Sequence, residues 1–446
     1  MNTRWQTALF WLMAFIFVFG GTSIVFYSQG WRLDTSSWTP QKVGAIYVRS
    51  FPKDVQIFLD DEEIENDSWF LGNGTLINGL YPKNYHLRLV KEGYRSWDMR
   101  LFVEPMKVAE VKYALLIPEE SENLPSLPPR DTQKFSILPE PFSFKYLTSD
   151  SLQIDSWKMP PGDIAFTSLD GRLVVRSSPG KYTLHFPLDN SSTSIQQILK
   201  NSGFSGAIRF FQIPGEYNRA LISDADSIGI MDFERMMSSS YATTSAKTTG
   251  ILISDIAAAN GSSLAFAARK ATSSVVYILN RNSPSNIQKD FYTIPGEPKR
   301  VSFSPDGRLI ILDSNEDLYT ANLIDKKSDR IASKVKDFEF LEDGSRVAVL
   351  ERESIEIVSF LKGYKERDYR RFRLPGQENI KGLIWHKDGQ HLFVNYGNYV
   401  KLLDLNDTNL DNYQKVADCS HFEYSEEENT LYCLESGRIS YYQFEE

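Results

Sequence analysis

The chain has 446 residues and a formal net charge of −9, and at roughly 150 residues per domain this length allows about three units. Hydrophobic residues make up 41% of the chain, so most of it can bury a core, and an aromatic content of 13% favours strands over helices. The sequence has no basic stripe that would neutralise phosphates. We therefore expect no nucleic-acid partner.

Residues 7–28 form an apolar run without a charge, TALFWLMAFIFVFGGTSIVFYS. About 20 apolar residues in a helix cross the hydrocarbon core of a bilayer, and Trp5 and Trp31 flank the run as interfacial anchors do. A cleaved signal peptide is the alternative, but its apolar core would span about 7–15 residues before a small-x-small cleavage site. Because this run is longer, we predict an uncleaved, single-pass transmembrane anchor at residues 7–28.

The charges around this run do not decide its orientation, because Arg4 lies on one side and Arg32 and Lys42 lie on the other. A short N-terminal tail before a large folded region is typical of a signal anchor whose bulk is exported. We predict a cell-membrane protein whose soluble part is extracytoplasmic and whose helix has the lipid bilayer as its partner.

Residues 43–117 alternate apolar and polar side chains with the period of half-buried strands. Turn residues at 52–54, 60–63, 82–84 and 92–93 separate these strands. The predicted strands are GAIYVRS (44–50), DVQIFLDD (54–61), YHLRLVKEGY (85–94), WDMRLFV (97–103) and AEVKYALLI (109–117). The pattern predicts a small all-β sandwich.

Three short motifs follow one another in this region: Ser50-Phe51-Pro52-Lys53-Asp54-Val55, then Gly79-Leu80-Tyr81-Pro82-Lys83-Asn84-Tyr85, then Lys91-Glu92-Gly93-Tyr94. In this order they resemble the PEGA domain family, although Asp54 and Lys83 stand where the family has glycine. The resemblance implies a cell-envelope β-sandwich that is fused to another module, and it brings no catalytic residues with it.

Residues 118–141, PEESENLPSLPPRDTQKFSILPEP, contain six prolines. Proline opposes helix formation and favours extended backbone. We predict a semi-rigid linker and a domain boundary here.

From residue 142 onward a phrase recurs in which a turn precedes an apolar run, as in FSPDGRLIIL (303–312). Asp-Gly and Asn-Gly supply the positive φ of a type I′ hairpin turn, and asparagine tolerates the same conformation. A period of about 40 to 45 residues with several short strands is typical of a β-propeller. The turns centre on Gly171, Gly215, Gly261, Gly307, Gly344, Gly389 and Asn429.

Seven turns predict a seven-bladed β-propeller over residues 142–446. The last copy has room for three strands only, so its fourth strand must come from elsewhere. The segment Gln153–Met159 precedes the first hairpin and matches the strand-then-Pro-Gly phrase of FYTIPG (291–296). We predict that Gln153–Met159 completes the last blade and closes the ring, which would remove two free sheet edges.

The Ser304-Pro305-Asp306-Gly307 copy resembles the repeats of TolB-like, WD-repeat-like propellers, and the resemblance spans residues 164–446. Blade loops of propellers commonly carry binding sites. The resemblance therefore implies a binding module.

We find no motif for catalysis, since a G-x-S-x-G elbow, a P-loop and an H-E-x-x-H helix are all missing. Carboxylates of distant blades could still meet in a ring. We predict no catalytic, cofactor-binding or metal-binding residues, and a protein that is not an enzyme. The five histidines, which show no metal-ligand spacing, are His86, His185, His386, His391 and His421.

Two further groups have polar ligand chemistry. The acidic loop with Asp404, Asn406, Asp407 and Asp411 lacks the glycine and glutamate of an EF-hand, so a solvated loop is expected. The other group is the pair Cys419 and Cys433, which lie in the last inner hairpin. Either a disulfide in an oxidising compartment or two reduced thiols fits them.

Taken in chain order, the anchor, sandwich, linker and propeller predict a cell-envelope protein that binds a protein or glycan at a propeller face. A propeller enzyme or enzyme subunit acting on envelope polymers is one alternative. A purely structural spacer is the other.

Overall fold

The computed structural model describes residues 3–34, 38–64, 74–160, 162–243, 251–259, 263–270, 273–280, 287–322, 327–352, 354–361, 366–374, 380–407 and 409–445. Strands dominate this part of the chain, and its two helices are α1 (Thr3–Ser28) and the short α2 (Gln196–Asn201). The predicted all-β class with one N-terminal apolar helix is confirmed.

Helix α1 is an exposed apolar rod. Its segment Leu9–Ser28 has a mean hydropathy of 2.2 and is long and apolar enough to cross a membrane, a test that a signal sequence also passes. Side chains such as Phe17, which is 82% exposed, have no protein core to enter. A hairpin of β1 (Trp31–Asp34) and β2 (Thr39–Lys42) follows the helix directly.

A β-sandwich comes next, as predicted from the alternation of residues 43–117. One sheet has the order β6-β3-β9 and the other has the order β5-β4-β7-β8; β3 pairs antiparallel with β6 and parallel with β9. The strands are β3 (Gly44–Phe51), β4 (Gln56–Leu59), β5 (Glu62–Ile64), β6 (Thr75–Leu80), β7 (Asn84–Val90), β8 (Trp97–Phe102) and β9 (Val108–Leu115).

The two sheets share one hydrophobic core. Ile46 of the first sheet and Leu87 of the second are both fully buried in it. Alternation places every second side chain of a strand on the same face, which is why a strand such as β7 buries Tyr85, Leu87 and Leu89 together. Asp54 adopts a positive φ of 59°, the conformation that a glycine at this turn would take without strain.

The rest of the described chain contains eight four-stranded antiparallel sheets. Sheet 8 uses β10 (Glu122–Asn123) as its outer strand. Sheet 1 comprises β11 (Thr132–Ile137), β12 (Phe144–Thr148), β13 (Leu152–Ile154) and β14 (Trp157–Lys158); sheet 2 comprises β15 (Asp163–Thr167), β16 (Val174–Ser178), β17 (Lys181–Phe186) and β18 (Ser191–Ser194). Sheet 3 comprises β19 (Arg209–Ile213), β20 (Glu216–Ser223), β21 (Ser227–Asp232) and β22 (Met237–Thr243); sheet 4 comprises β23 (Ile251–Ala259), β24 (Ser263–Lys270), β25 (Ser273–Asn280) and β26 (Ile287–Thr293).

The remaining sheets continue in chain order. Sheet 5 comprises β27 (Pro298–Phe303), β28 (Leu309–Asp313), β29 (Leu318–Asn322) and β30 (Lys327–Ala332); sheet 6 comprises β31 (Asp337–Phe340), β32 (Arg346–Leu350), β33 (Ser354–Leu361) and β34 (Glu366–Arg373). Sheet 7 comprises β35 (Gly382–Trp385), β36 (His391–Asn395), β37 (Tyr399–Asp404) and β38 (Gln414–Asp418); sheet 8 adds β39 (His421–Ser425), β40 (Thr430–Glu435) and β41 (Arg438–Gln443) to β10.

Each sheet packs on the next, and the last packs on the first. Successive residues of one strand serve opposite neighbours: Leu392 and Val394 join a core with sheet 6, whereas Phe393 joins a core with sheet 8. Sheet 8 in turn packs on sheet 1 through Leu434 and Phe135. The other interfaces are Ile154 with Val174, Val175 with Ala220, Leu221 with Leu264, Ala265 with Leu309, and Ile310 with Val347. A cyclic order of such sheets is a β-propeller-type arrangement.

The prediction that Gln153–Met159 closes the last sheet is wrong. Strand β13 pairs with its own neighbours β12 and β14, and the outer strand of sheet 8 is Glu122–Asn123, which pairs with β41. The predicted linker 118–141 therefore contributes β10 and β11 to two different sheets. Proline restricts the backbone to extended conformations, so the same residues that suit a spacer also suit short edge strands.

The count of seven units missed sheet 1, because the turn between its first two strands, β11 and β12, has no glycine. This turn, residues 138–143, contains Pro139 and Pro141, and the Leu138 amide donates to the Ser143 carbonyl (2.9 Å). Proline presets a negative φ, so a turn that contains it can form without glycine. Six of the seven predicted turn residues have the expected positive φ, between 52° and 86°: Gly171, Gly215, Gly307, Gly344, Gly389 and Asn429. The seventh, Gly261, lies outside the described residues.

Candidate functional site

The sandwich docks on sheets 7 and 8, and buried histidines and aspartates lie beside this junction. Leu115 and Ile117, at the end of the sandwich, enter the core that Phe393 and Val416 of sheet 7 share with sheet 8. The apolar contact joins the two units. It also excludes water from the polar groups around it.

Asn412 pairs with the backbone of the sandwich. Its side-chain oxygen accepts from the Asp98 amide (2.8 Å), and its side-chain nitrogen donates to the Asp98 carbonyl (2.5 Å). Arg95 completes the contact by donating to the carbonyls of Lys415 and Val416, the latter at 3.0 Å. A carboxamide that meets both backbone groups of one residue imitates a strand neighbour, so the edge of β8 is satisfied at this point.

The acidic loop after β37 is not the solvated loop expected from sequence. Asp404 and Asp407 are buried, at 3% and 1% exposure, whereas Asn406 and Asp411 are exposed. The Asp407 carboxylate accepts from the amides of Asn409 (3.1 Å) and Asn412 (2.6 Å). These bonds hold the loop in the conformation that presents Asn412 to the sandwich.

Beside this loop, the turn between β35 and β36 contains a hydrogen-bonded chain of three side chains. Nδ1 of His386 lies 3.1 Å from Oδ1 of Asp388, and Nδ1 of His391 lies 2.7 Å from Oδ2 of the same carboxylate. Both imidazoles are buried, at 3% and 0% exposure. The carboxylate also accepts from the backbone amides of Gln390 (2.8 Å) and His391 (3.1 Å), so it caps the turn.

Asp404 places a second carboxylate at the far side of His391. Its Oδ2 lies 3.7 Å from Nε2 of His391, which is an ion-pair distance rather than a hydrogen bond. Burial alone would lower the pKa of His391, but the charges of Asp388 and Asp404 outweigh it and raise the pKa to about 10. His391 is therefore an imidazolium between two carboxylates at neutral pH.

The other two members of the chain respond in opposite directions. Burial lowers the pKa of His386, which stays neutral. Burial would raise the pKa of Asp388, but the charge of His391 and the hydrogen bonds from both imidazoles hold it well below its usual value. The positive charge of His391 thus lies between the negative charges of Asp388 and Asp404.

A metal ion is the other chemistry that two histidines and an aspartate could support, since one ligand atom of each lies within 4.8 Å of the others. Both Nδ1 atoms face the carboxylate at hydrogen-bond distance, and an imidazole must lose its proton there to ligate a metal. The geometry favours a proton-filled bridge over a metal centre.

Sequence analysis did not connect these histidines, although the signal was available. Sheets 2 and 5 have a Ser-x-Asp-Gly-x-Leu turn at the equivalent place, and sheet 7 has His386-Lys387-Asp388-Gly389-Gln390-His391 instead. In the serine turns, the Ser168 hydroxyl donates to Asp170 (2.6 Å) and the Ser304 hydroxyl donates to Asp306. An aligned comparison of the repeats would have shown that two histidines replace the serine and the leucine.

A cleft of about 480 Å³ opens between this turn and the sandwich. Arg49, Phe51 and Lys53 of the sandwich form one wall, and residues 386–388 with Asn429 form the other. Its carboxylates have partners, because Asp388 binds both histidines and Glu445 lies 3.6 Å from Lys91. Among the described residues, Arg49 and Lys53 have no carboxylate partner, and the Nε atom of Arg49 is buried without a hydrogen bond. The cleft is locally cationic in an acidic protein.

A disulfide lies next to the cleft in sheet 8. Cys419 and Cys433 are bonded, with Cα atoms 5.3 Å apart. Of the two alternatives left open by the sequence, the structure has the oxidised one. The bond joins the segment before β39 to β40.

No protein-family model matches the chain, and no curated protein matches it. Among solved structures, the computationally designed Ika8 protein has a TM-score of 0.46 at 10% identity, covering 72% of this chain and 99% of that chain. PorZ, a bacterial surface component of the type-IX secretion system of Porphyromonas gingivalis, has a TM-score of 0.38 at 12% identity, covering 70% of this chain. Oligogalacturonate lyase in complex with manganese has a TM-score of 0.39 at 10% identity, covering 61% of this chain and 86% of that chain.

PorZ and the lyase are β-propeller-like folds. This chain spans 42% of the PorZ chain. The cyclic packing of the eight sheets makes the fold propeller-type.

Proposed function

We propose that this protein is a single-pass, membrane-anchored component of the cell envelope whose eight-bladed propeller binds an envelope protein or glycan. The observation that carries the proposal is the docking of the sandwich on sheets 7 and 8, continuous in sequence with the exposed apolar helix. An anchor, a PEGA-like sandwich and a ring that are packed together suit a fixed platform better than a tethered, freely moving module. The disulfide supports an oxidising, extracytoplasmic compartment.

The cationic cleft at the junction is the binding place that the geometry favours. Its volume lies within the range of about 300–1,000 Å³ typical of ligand sites. Arg49 can bind a planar carboxylate or a phosphate in bidentate fashion, and Phe51 offers an apolar surface beside it. The partner would therefore bring an anionic group, on a protein or a glycan, into the cleft.

Site-specific photo-crosslinking of the full chain in native membranes tests this proposal. A crosslinker at Lys53 or Lys387, both in the wall of the cleft, is expected to capture an envelope component. A crosslinker at Tyr369, an exposed residue on the outer strand of sheet 6, serves as the matched control and should capture far less. Charge reversal by Arg49→Glu should reduce capture from position 387. Equal capture at all three positions, or none at any, would refute the cleft as the binding place.

Binding rather than catalysis is proposed because the Asp388 carboxylate is held by the Nδ1 atoms of both histidines, and the described residues of the cleft include no aligned nucleophile and base. Glycosidase and peptidase panels on the full-length protein check this point. Turnover that is abolished by Asp388→Asn without loss of folding would favour the enzyme instead. A protein that captures no partner and turns over no substrate would favour a structural spacer.

A further inference from the structure

The β1–β2 hairpin and the end of the sandwich beside it expose several apolar side chains. Leu33 is 52% exposed, Trp38 is 76% exposed and Met106 is 62% exposed. Phe102 and Val108, which flank the turn of Met106, are 54% and 49% exposed. Scattered exposed apolar residues are ordinary on a soluble surface, but a contiguous group marks an interaction site.

Hydrogen bonds place the hairpin and the turn of Met106 beside the end of the helix. The Val43 amide donates to the Gly30 carbonyl just after α1 (2.9 Å), and the Met106 amide donates to the Val43 carbonyl (2.9 Å). On the other side, the Tyr81 hydroxyl donates to the Leu33 carbonyl (3.0 Å). The β1–β2 hairpin and the 104–107 turn therefore lie at the end of the apolar helix.

Cationic and aromatic side chains form pairs beside the end of the helix. The Arg32 guanidinium lies 3.4 Å from the centre of the Tyr27 ring, and the Lys42 ammonium lies 5.4 Å from the centre of the Trp31 ring. A groove of about 340 Å³ between Phe26 of the helix and Pro40 of the hairpin opens beside them. Tryptophan and tyrosine prefer the headgroup level of a bilayer, and lysine and arginine there bind lipid phosphates.

We propose that the β1–β2 hairpin and the 104–107 turn form an interfacial collar whose partner is the phospholipid surface. The collar comprises Trp31, Arg32, Leu33, Trp38, Lys42 and Met106. The proposal rests on the membrane anchor of the proposed function and goes beyond it, since a simple anchor would leave the hairpin in water. Its apolar side chains enter the headgroup region, and Arg32 and Lys42 meet phosphate groups.

The collar would fix the height and direction of the whole molecule. Strand β3 begins at Gly44, beside the collar, and ends at Phe51, in the wall of the cleft. Eight residues of strand span about 26 Å. The sandwich then acts as a post of that length, which holds the cationic cleft above the headgroups instead of letting it swing on a linker.

Nitroxide labels on the full-length protein in phospholipid vesicles test the collar. Cysteines replace Trp38, Met106, Phe17 and Lys53 one at a time, and the native cysteines stay unlabelled because they are bonded to each other. Power saturation with oxygen and a water-soluble nickel reagent then reports the depth of each label. Labels at 38 and 106 are expected within about 5–10 Å of the boundary between headgroups and acyl chains. The label at 53 is expected in water, and the label at 17 is expected deep in the hydrocarbon.

The pattern of depths separates the two proposals. A deep label at 17 with labels at 38 and 106 as accessible to nickel as the label at 53 overturns the collar and leaves the anchor intact. A label at 17 in water overturns the anchor and the collar together. The same labels are then measured in two variants of the labelled chains, Trp31→Phe and Arg32→Gln/Lys42→Gln. If labels 38 and 106 keep their depth in the first variant and shift towards water in the second, the phosphate contact is assigned to the two cations.

Discussion

The turns of sheet 5 and sheet 7 have the same backbone and different side chains. Both contain Asp-Gly, with φ of 86° at Gly307 and 63° at Gly389. In sheet 5, Arg308 binds Asp306 (2.8 Å) and donates to the Gly344 carbonyl of the next turn (2.9 Å), so the turn braces its neighbour in the ring. In sheet 7, the corresponding aspartate binds two buried histidines.

The comparison shows that one type of turn can support two different sets of side-chain contacts. Asp-Gly sets the hairpin, because glycine accepts positive φ and aspartate accepts the following amides. The flanking residues decide what the turn contacts. In sheet 7, where the sandwich docks, His386 and His391 stand in place of the serine and the leucine of the other turns. They form a buried charged network with Asp388.

The largest effect is expected when His391 is converted to the residue of the other turns. His391→Leu removes the imidazolium between Asp388 and Asp404 and leaves two carboxylates buried without it. Breaking a buried ion pair from one side costs about 3–5 kcal/mol of unfolding free energy. Denaturant unfolding of the full-length protein in detergent measures it. Ser304→Ala, in the matching turn of sheet 5, serves as the control and should cost about 1 kcal/mol. Equal losses in the two variants would contradict the distinction between the turns.

Removal of the disulfide is expected to have the next largest effect. Sheet 8 borrows the two-residue strand β10, whereas sheet 7 builds all four strands locally, so sheet 8 depends more on the bond between Cys419 and Cys433. With the cysteines 14 positions apart, Cys419→Ser/Cys433→Ser should lower the free energy of unfolding by about 3 kcal/mol. A reducing agent should destabilise the native chain and leave this variant unchanged. A reductant-insensitive native chain would show that the thiols are not paired.

The contact between sandwich and ring gives a smaller effect. Asn412→Ala removes both hydrogen bonds to Asp98 and leaves an amide and a carbonyl at the junction unsatisfied, at a cost of about 2 kcal/mol. Asn406→Ala, an exposed residue of the same loop, should change stability by less than about 0.5 kcal/mol. Limited proteolysis reports whether the two units separate. If both alanine variants behave alike, the carboxamide does not hold the junction.

The pH dependence of the free energy of unfolding is expected to be the smallest effect, when it is counted per pH unit. The folded pKa of His391, about 10, is above the ordinary value of about 6.5, so the folded chain keeps a proton that the unfolded chain loses. This stabilisation is complete below pH 6.5 and falls as pH rises towards 10, by at most about 1.4 kcal/mol per pH unit.

Denaturant titrations between pH 7.5 and 9.5 measure this slope away from Glu339, whose pKa burial raises to about 7. The matched control is His391→Leu, in which the slope should be much reduced. A slope that survives in that variant would assign the titration to another group.

The sequence predicted local features well and the partners of edge strands poorly. Alternation at 44–50 and 85–94 predicted two sandwich strands, which the structure has at Gly44–Phe51 and Asn84–Val90. The positive φ of Gly389 and Asn429 was predicted from the turn residues. The closing strand Glu122–Asn123 could not be predicted, because it pairs with a strand more than 300 residues away and has no hydrophobic pattern of its own.

The candidate site shows the same division at the level of side chains. His386, Asp388 and His391 stand within one turn, so their proximity was readable from the repeats. Their burial was not readable, because His386 packs on Tyr424 and Phe444, and Asp404 of a later strand lies beside His391. Asp407 is a similar case: an acidic loop looks solvated until its carboxylates are seen to bind amides inside the fold.

By itself, the amino-acid sequence determined the apolar helix, the strands and the hairpins of this protein, since each depends on residues that lie close together in the chain. Only the tertiary structure decided the number of sheets, the strand that closes the ring and the charge state of His391. Those three depend on contacts between distant segments, and such contacts come from packing and from the exclusion of water rather than from any local pattern.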